Sequence, residues 1–240
     1  MRTSLTGPIQ VVGQDVLATS TTALHNLGTY AETQDGRGFR YVKAVAATVA
    51  GKLYQCTPQD ATNYSPAGGL AVAAAAIGAT SITVTTSLTV TLNALAGGYV
   101  TMAITPGEGY TYRVKSNTAV AGAANMVIVL EDPLVVALTT GSKLVAVANP
   151  YSAVVIMPTS ISAAPAGVSV GIIPTASFGW VQTHGPVSVL NSGGTAIGLS
   201  VTPGGAAGAV KTGATTLNDI GYCLNAGTTA EYQMVFLNID

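Results

Sequence analysis

The pentapeptide Gly167-Val168-Ser169-Val170-Gly171 is the most tempting catalytic signature in this chain. A G-x-S-x-G run can hold a serine on a sharp turn between a strand and a helix, where its hydroxyl serves as the nucleophile of acyl transfer. Here Ile172-Ile173-Pro174 follows, which cannot open a long helix. The usual order of acid after serine and histidine last also fails, since no histidine lies beyond His184. The match is read as chance.

Other chemistry-bearing residues are equally scattered. His25 and His184 stand far apart, as do Cys56 and Cys223, so no metal-ligand spacing is present. His25 is read as a surface or packing residue, and His184 as a residue that closes a strand or lines an interface. Glu131 and Asp132 are adjacent and would point to opposite faces of a strand, which rules out a paired-carboxylate site. The glycine-rich run 204–208 lacks the Lys-Ser/Thr that completes a phosphate loop. The expectation is a non-enzymatic protein with no catalytic residue, no metal and no cofactor. The start, MRTSLTGPIQVV, has no apolar core of an export signal, so the two cysteines are expected as buried or semi-buried thiols rather than a disulfide.

Arg37, Arg40 and Lys43 are three of only nine basic residues, and they gather within one short turn and strand. Asp35-Gly36-Arg37-Gly38 signals a turn, because Asp and Gly accept the positive φ of tight turns. Phe39 to Ala44 mixes aromatic, β-branched and charged residues as an exposed or interface strand would. Gly51 to Gln55 reads as a second strand. The pair is either a plain solvated hairpin or a docking surface.

Charge is scarce everywhere else. Hydrophobic residues make up 48% and charged residues 8% of 240, with net charge −1, against a usual charged share of about 25%. A free soluble monomer normally carries a better-charged surface, so the composition favours a subunit that hides its faces in an assembly. The absence of a basic field argues against nucleic acid as a partner. The longest apolar run, Leu70 to Ile77, falls far short of the roughly 20 residues of a spanning helix, and no membrane is expected as a partner.

The elements that must carry these residues are strands. Ser81–Thr85 and Leu88–Leu92 alternate apolar residues with Thr, and Tyr99–Ile104, Tyr110–Lys115, Met126–Leu130 and Leu144–Val147 follow at turn-punctuated intervals. Val154–Met157, Val168–Ile173, Phe178–Gln182 and Val187–Leu190 continue the style, and Ile220–Leu224 with Glu231–Leu237 predicts a closing hairpin. Ala71–Ala76 is the best helix candidate. The prediction is all-β: an antiparallel β-sandwich or barrel-like fold with two β subdomains and little helix. Residues 1–26 form an extended N-terminal arm, 27–69 and 151–240 a β base domain, and 70–150 an inserted β domain.

Leu27-Gly28-Thr29, Asp35-Gly36-Arg37 and Phe39-Arg40-Tyr41-Val42-Lys43-Ala44 resemble the opening of tailed-bacteriophage capsid decoration (cement) proteins. The runs Ala79–Thr85, Leu130–Leu134, Gly179–Gly185 and Ile220–Leu237 also look phage-virion-like, so the resemblance covers most of the chain through short motifs. It implies a homotrimer made in the host cytoplasm that binds the outer capsid surface and cements neighbouring major capsid protein subunits. The basic strand would then face acidic capsid patches with Phe39 and Tyr41 as anchors, and the arm would reach to a neighbour. The alternative is a head-fibre or tail-fibre type receptor-binding virion subunit. A carbohydrate-active enzyme or lectin, the third class, would need paired carboxylates or exposed aromatics around a groove.

Overall fold

A computed structural model describes residues 14–87, 89–213 and 219–240. They divide into two compact units: residues 14–58 with Pro150–Asp240 form a base unit, and Gln59–Asn149 form a second unit inserted into it. The insertion thus spans 59–149, beginning earlier than the 70–150 read from turn residues. The entering and leaving chains are tied on the base side, where Thr57 N–H donates to the Pro150 carbonyl at 2.6 Å.

The base unit contributes β1 (Tyr30–Glu32), β2 (Gly38–Lys43) and β3 (Lys52–Gln55) before the insertion. The inserted unit holds a single-turn helix α1 (Ala61–Tyr64) and strands β4 (Leu70–Ala71), β5 (Ser81–Thr86), β6 (Tyr99–Ile104), β7 (Thr111–Asn117), β8 (Ala124–Leu130) and β9 (Lys143–Val147). The chain returns through β10 (Val155–Ile156), β11 (Pro165–Ser169), β12 (Phe178–Leu190), β13 (Ser200–Pro203), β14 (Val210–Thr212), β15 (Gly221–Cys223) and β16 (Tyr232–Asn238). All the strand pairs are antiparallel. The all-β, barrel-like expectation therefore stands.

In the inserted unit the order β4-β9-β6-β7-β8-β5 brings the sheet round on itself, and Ala73 N–H donates to the Thr83 carbonyl between its two ends. The period-two pattern explains the interior: Ile82, Val84, Val100, Met102, Tyr112, Val114, Met126, Ile128 and Leu144 all point inward and are buried. The alanine run 71–76 is strand and bridge rather than helix. A run this short cannot nucleate a stable helix, and the bridges Val72–Val84 and Ala75–Leu138 claim its backbone. The strand expected over 88–92 reduces to a single bridge, Val90–Val120, with Leu88 outside the described residues.

The base sheet runs β10-β3-β11-β12-β16-β15-β13-β14, with β1 and β2 added alongside β12. Gly208 ties its ends, donating to the Met157 carbonyl and accepting from Leu53 N–H, each at 2.8 Å. Leu53, Val168, Val187, Val189, Val210, Val235 and Leu237 fill the resulting core. Phe178–Gln182 and Val187–Leu190 are one strand of 13 residues, not two. A bulge between Gln182 and His184 and the positive φ of Gly185 (87°) carry the chain through Gly-Pro without breaking the sheet. Gln182 Nε2 holds the bend by donating to the carbonyls of His184 and Pro186, both at 2.9 Å. The closing hairpin forms as expected, with Tyr222 opposite Phe236 and Cys223 opposite Val235.

Candidate interaction surface

The basic strand is β2, and its turn at 34–36 joins it to β1, with Ala31 opposite Phe39. It does not pair with β3. Its other edge is taken by β12, with Trp180 opposite Tyr41, while β3 pairs with β10 and β11. The hairpin read from Asp35 to Gln55 is therefore corrected, because β1 and the distant β12 take the two edges of β2 while β10 and β11 take those of β3.

Phe39 and Tyr41 are each 1% exposed and pack with Trp180 and half-buried Val16, Leu27 and Phe178. As buried residues they cannot anchor a partner, and that role is corrected too. Residues 14–26 cover them from the same unit. Ser20 and Phe178 exchange backbone hydrogen bonds at 3.1 and 2.8 Å, Leu24 N–H donates to the Tyr41 hydroxyl at 3.2 Å, and His25 lies edge-on to Tyr41 at 5.1 Å. This part of the expected arm folds back on its own unit, whereas residues 1–13 lie outside the described residues.

The three cations are also engaged at home. Arg37 Nε pairs with Asp35 at 2.8 Å and its guanidinium lies 5.8 Å from the Phe39 ring. A hydrogen bond from Thr33, helped by Arg37, holds the Asp35 carboxyl below its usual range. Lys43 Nζ sits 5.6 Å over the Phe178 ring. Arg40 makes a two-pronged pair with Asp240, Nε to Oδ2 at 2.9 Å and Nη2 to Oδ1 at 3.0 Å, and donates Nη1 to the Gly28 carbonyl. Its hydrogen bond to Asp240 raises the Arg40 pKa against the opposing effect of burial. Burial pushes Asp240 up, but the Arg40 hydrogen bond and charge outweigh it and leave the carboxyl below its usual range.

The serine of G-x-S-x-G is fully buried on β11, its hydroxyl within hydrogen-bond distance of Thr48 Oγ1 at 2.9 Å and of the Gly171 carbonyl at 2.6 Å. It is a core crosslink, not an exposed nucleophile. Cys56 and Cys223 are free and buried, and burial pushes the Cys56 thiol up to about 11. Among the described residues no group of three or more His, Cys, Asp or Glu could hold a metal, and no helix is long and apolar enough to cross a membrane.

What the outer face of the base sheet does present is apolar. Alternation on β16 sends Val235 and Leu237 inward and turns Tyr232, Met234 and Phe236 outward, beside Pro186 and Ser188 of β12 and Tyr222 of β15. Tyr232 is 51% and Met234 49% exposed. A shallow groove of about 370 Å³ lies along them, bounded by Arg37, Pro186, Ser188, Tyr232 and Met234. Beyond closing a hairpin, 231–237 carries apolar residues at both parities, the sequence signal of a strand covered on both faces. Compared with family models, curated proteins and solved structures, the chain matches none.

Proposed function

We propose that the chain is a structural, non-enzymatic virion subunit that decorates the outer surface of a phage capsid and bridges neighbouring major capsid protein subunits. The observation that carries this reading is the outer face of β12 and β16, where Tyr232, Met234 and Pro186 stand open while Arg37, Arg40 and Lys43 are engaged within their own unit. Such a face gains free energy on burial, about 25 cal/mol per Å² of apolar area, and burying it there strips few charges of water. The motif resemblance supplies the kind of assembly, and a homotrimer would add the multivalency through which weak contacts hold a shell. The contact is assigned to Tyr232 and Met234, in place of Phe39 and Tyr41.

Mixing the purified protein with expanded, undecorated heads and imaging the particles tests this. Ordered density between neighbouring capsid subunits is expected, and Tyr232→Asp or Met234→Asp should abolish it. Arg37→Ala and Lys43→Ala should leave binding and its salt dependence little changed. Wild-type protein that leaves the heads bare overturns the proposal.

The second reading, a receptor-binding head-fibre or tail-fibre type subunit, is favoured by one separate feature, an aromatic platform at the other end of β16.

A further inference from the structure

Tyr222 and Phe236 stack across β15 and β16 with ring centroids 5.2 Å apart and planes 8° from parallel. His184 stands edge-on to the far partner, its ring 5.2 Å from Phe236 at 86°. The outer ring of this stack, Tyr222, is 43% exposed. Its position is fixed by strand register, since Tyr222 lies directly opposite Phe236 and the pair is flanked by Asn238 opposite His184. A concavity of about 510 Å³ opens over the platform, lined by Ser200, Asp219, Tyr222, Phe236 and Asn238. That volume lies within the range of small-molecule sites.

The polar rim is specific in kind. The side chains of Asp219, Asn238 and Ser200 have no partner among the described residues, and Ser200 Oγ and Asp219 Oδ1 converge so closely that either would crowd a side chain at Gly213. A carboxylate accepts two hydrogen bonds, and an amide accepts and donates. Together they match a ligand that offers neighbouring hydroxyls. An aromatic face carries negative quadrupole density and attracts weakly polarised C–H groups, so it suits the apolar face of a pyranose ring. Among the described residues no Lys or Arg lines the concavity. Asp219 therefore repels phosphate, sulfate and carboxylate groups, and nucleic acid, whose binding relies on cations as well as stacking, is disfavoured.

The geometry points to a carbohydrate-binding site on the outer face of β15 and β16, in which a neutral sugar stacks on Tyr222 and hydrogen-bonds Asp219, Asn238 and Ser200. The platform is already braced, because Phe236 backs Tyr222 and His184 in turn stands against Phe236, so little ordering is needed on binding. The assignment goes beyond the capsid reading and does not depend on it.

Saturation-transfer NMR on the full chain tests it, with glucose, galactose, mannose, N-acetylglucosamine and their disaccharides as probes and sialic acid as the anionic control. Transfer to the ring protons of at least one neutral sugar is expected, with none to sialic acid. Tyr222→Ala should weaken binding of the best sugar about tenfold or more, and Tyr222→Phe, which keeps the ring, should retain it. Asp219 is itself exposed, so Asp219→Ala should lose binding without loss of fold, which guards against misreading an unfolded Tyr222 variant. Absence of transfer to any neutral sugar, or an unchanged affinity in both Tyr222→Ala and Asp219→Ala, overturns the site. Binding of Tyr222→Ala to capsid heads reads the other proposal separately.

Discussion

Arg40 on β2 and Asp240, 200 residues later and just past β16, close a two-pronged ion pair that fastens the segment after β16 to the first long strand. The guanidinium also lies 5.2 Å from the Tyr30 ring and 5.9 Å from the Tyr151 ring. One cation thus ties three separate segments of the base unit together.

Removing that tie should cost stability and reshape its response to acid. Arg40→Ala or Asp240→Asn is expected to destabilise the protein by about 1 kcal/mol, a value reduced by the partial exposure of the pair. Because the Asp240 pKa is lowered in the folded state, its contribution is present above the ordinary carboxylate pKa and is lost as pH falls through the lowered value. Chemical denaturation from pH 7 down to pH 2 should therefore show a shallower acid limb in Asp240→Asn.

The thiols should be inert in the native protein. Cys56 donates to the Pro165 carbonyl at 3.8 Å, and its pKa is pushed from 9.0 to about 11 by burial. An Ellman assay at pH 8 should detect neither cysteine until denaturant is added. The raised Cys56 value stabilises the fold below pH 9 relative to higher pH, and that contribution should disappear as pH climbs through about 11.

In the G-x-S-x-G run the glycine and the serine should both prove structural. Gly167 has φ of 143°, and a Cβ there would meet the Gln182 carbonyl oxygen at 2.6 Å. Gly167→Ala is expected to destabilise by about 2 kcal/mol or more. Ser169→Ala removes a buried hydrogen bond while Thr48 keeps Ile173 N–H and the Gly171 carbonyl as partners, and should cost about 1 kcal/mol. Thermal unfolding measures both, and a wild-type melting temperature in either variant would refute this account of the motif.

The inserted unit should be removable. Thr57 and Pro150 are already joined by a backbone hydrogen bond, so replacing 59–149 with a short Gly-Ser linker asks for little rearrangement of the base unit. The shortened chain should unfold in one cooperative transition with β-type circular dichroism. A molten or aggregated product would show that the base unit depends on the insert.

Much of the architecture was legible because alternation is a local property. Ile82-Thr83-Val84 and Met126 to Leu130 declare buried strand faces wherever they end up. Partner choice is not local. Lys52–Gln55 pairs with β10 and β11 because Leu53 is needed in a core with Val168 and Val210, and nothing near Leu53 in the sequence says so. The alanine run 71–76 failed for the same reason, since its helix propensity was weaker than the strand pairing available at Val72 and Ala75.

By itself the sequence determined an all-β chain, the buried character of both cysteines and the shortage of charge, because these follow from residue type and period-two spacing. Tertiary structure decided which residues face out. It drew Phe39 and Tyr41 inward under residues 14–26, engaged the Arg37, Arg40 and Lys43 charges within their own unit, and set Tyr222 on Phe236 at the surface. Exposure belongs to a packed surface assembled from distant strands, and an aromatic residue on a strand carries no local mark of which side will be covered.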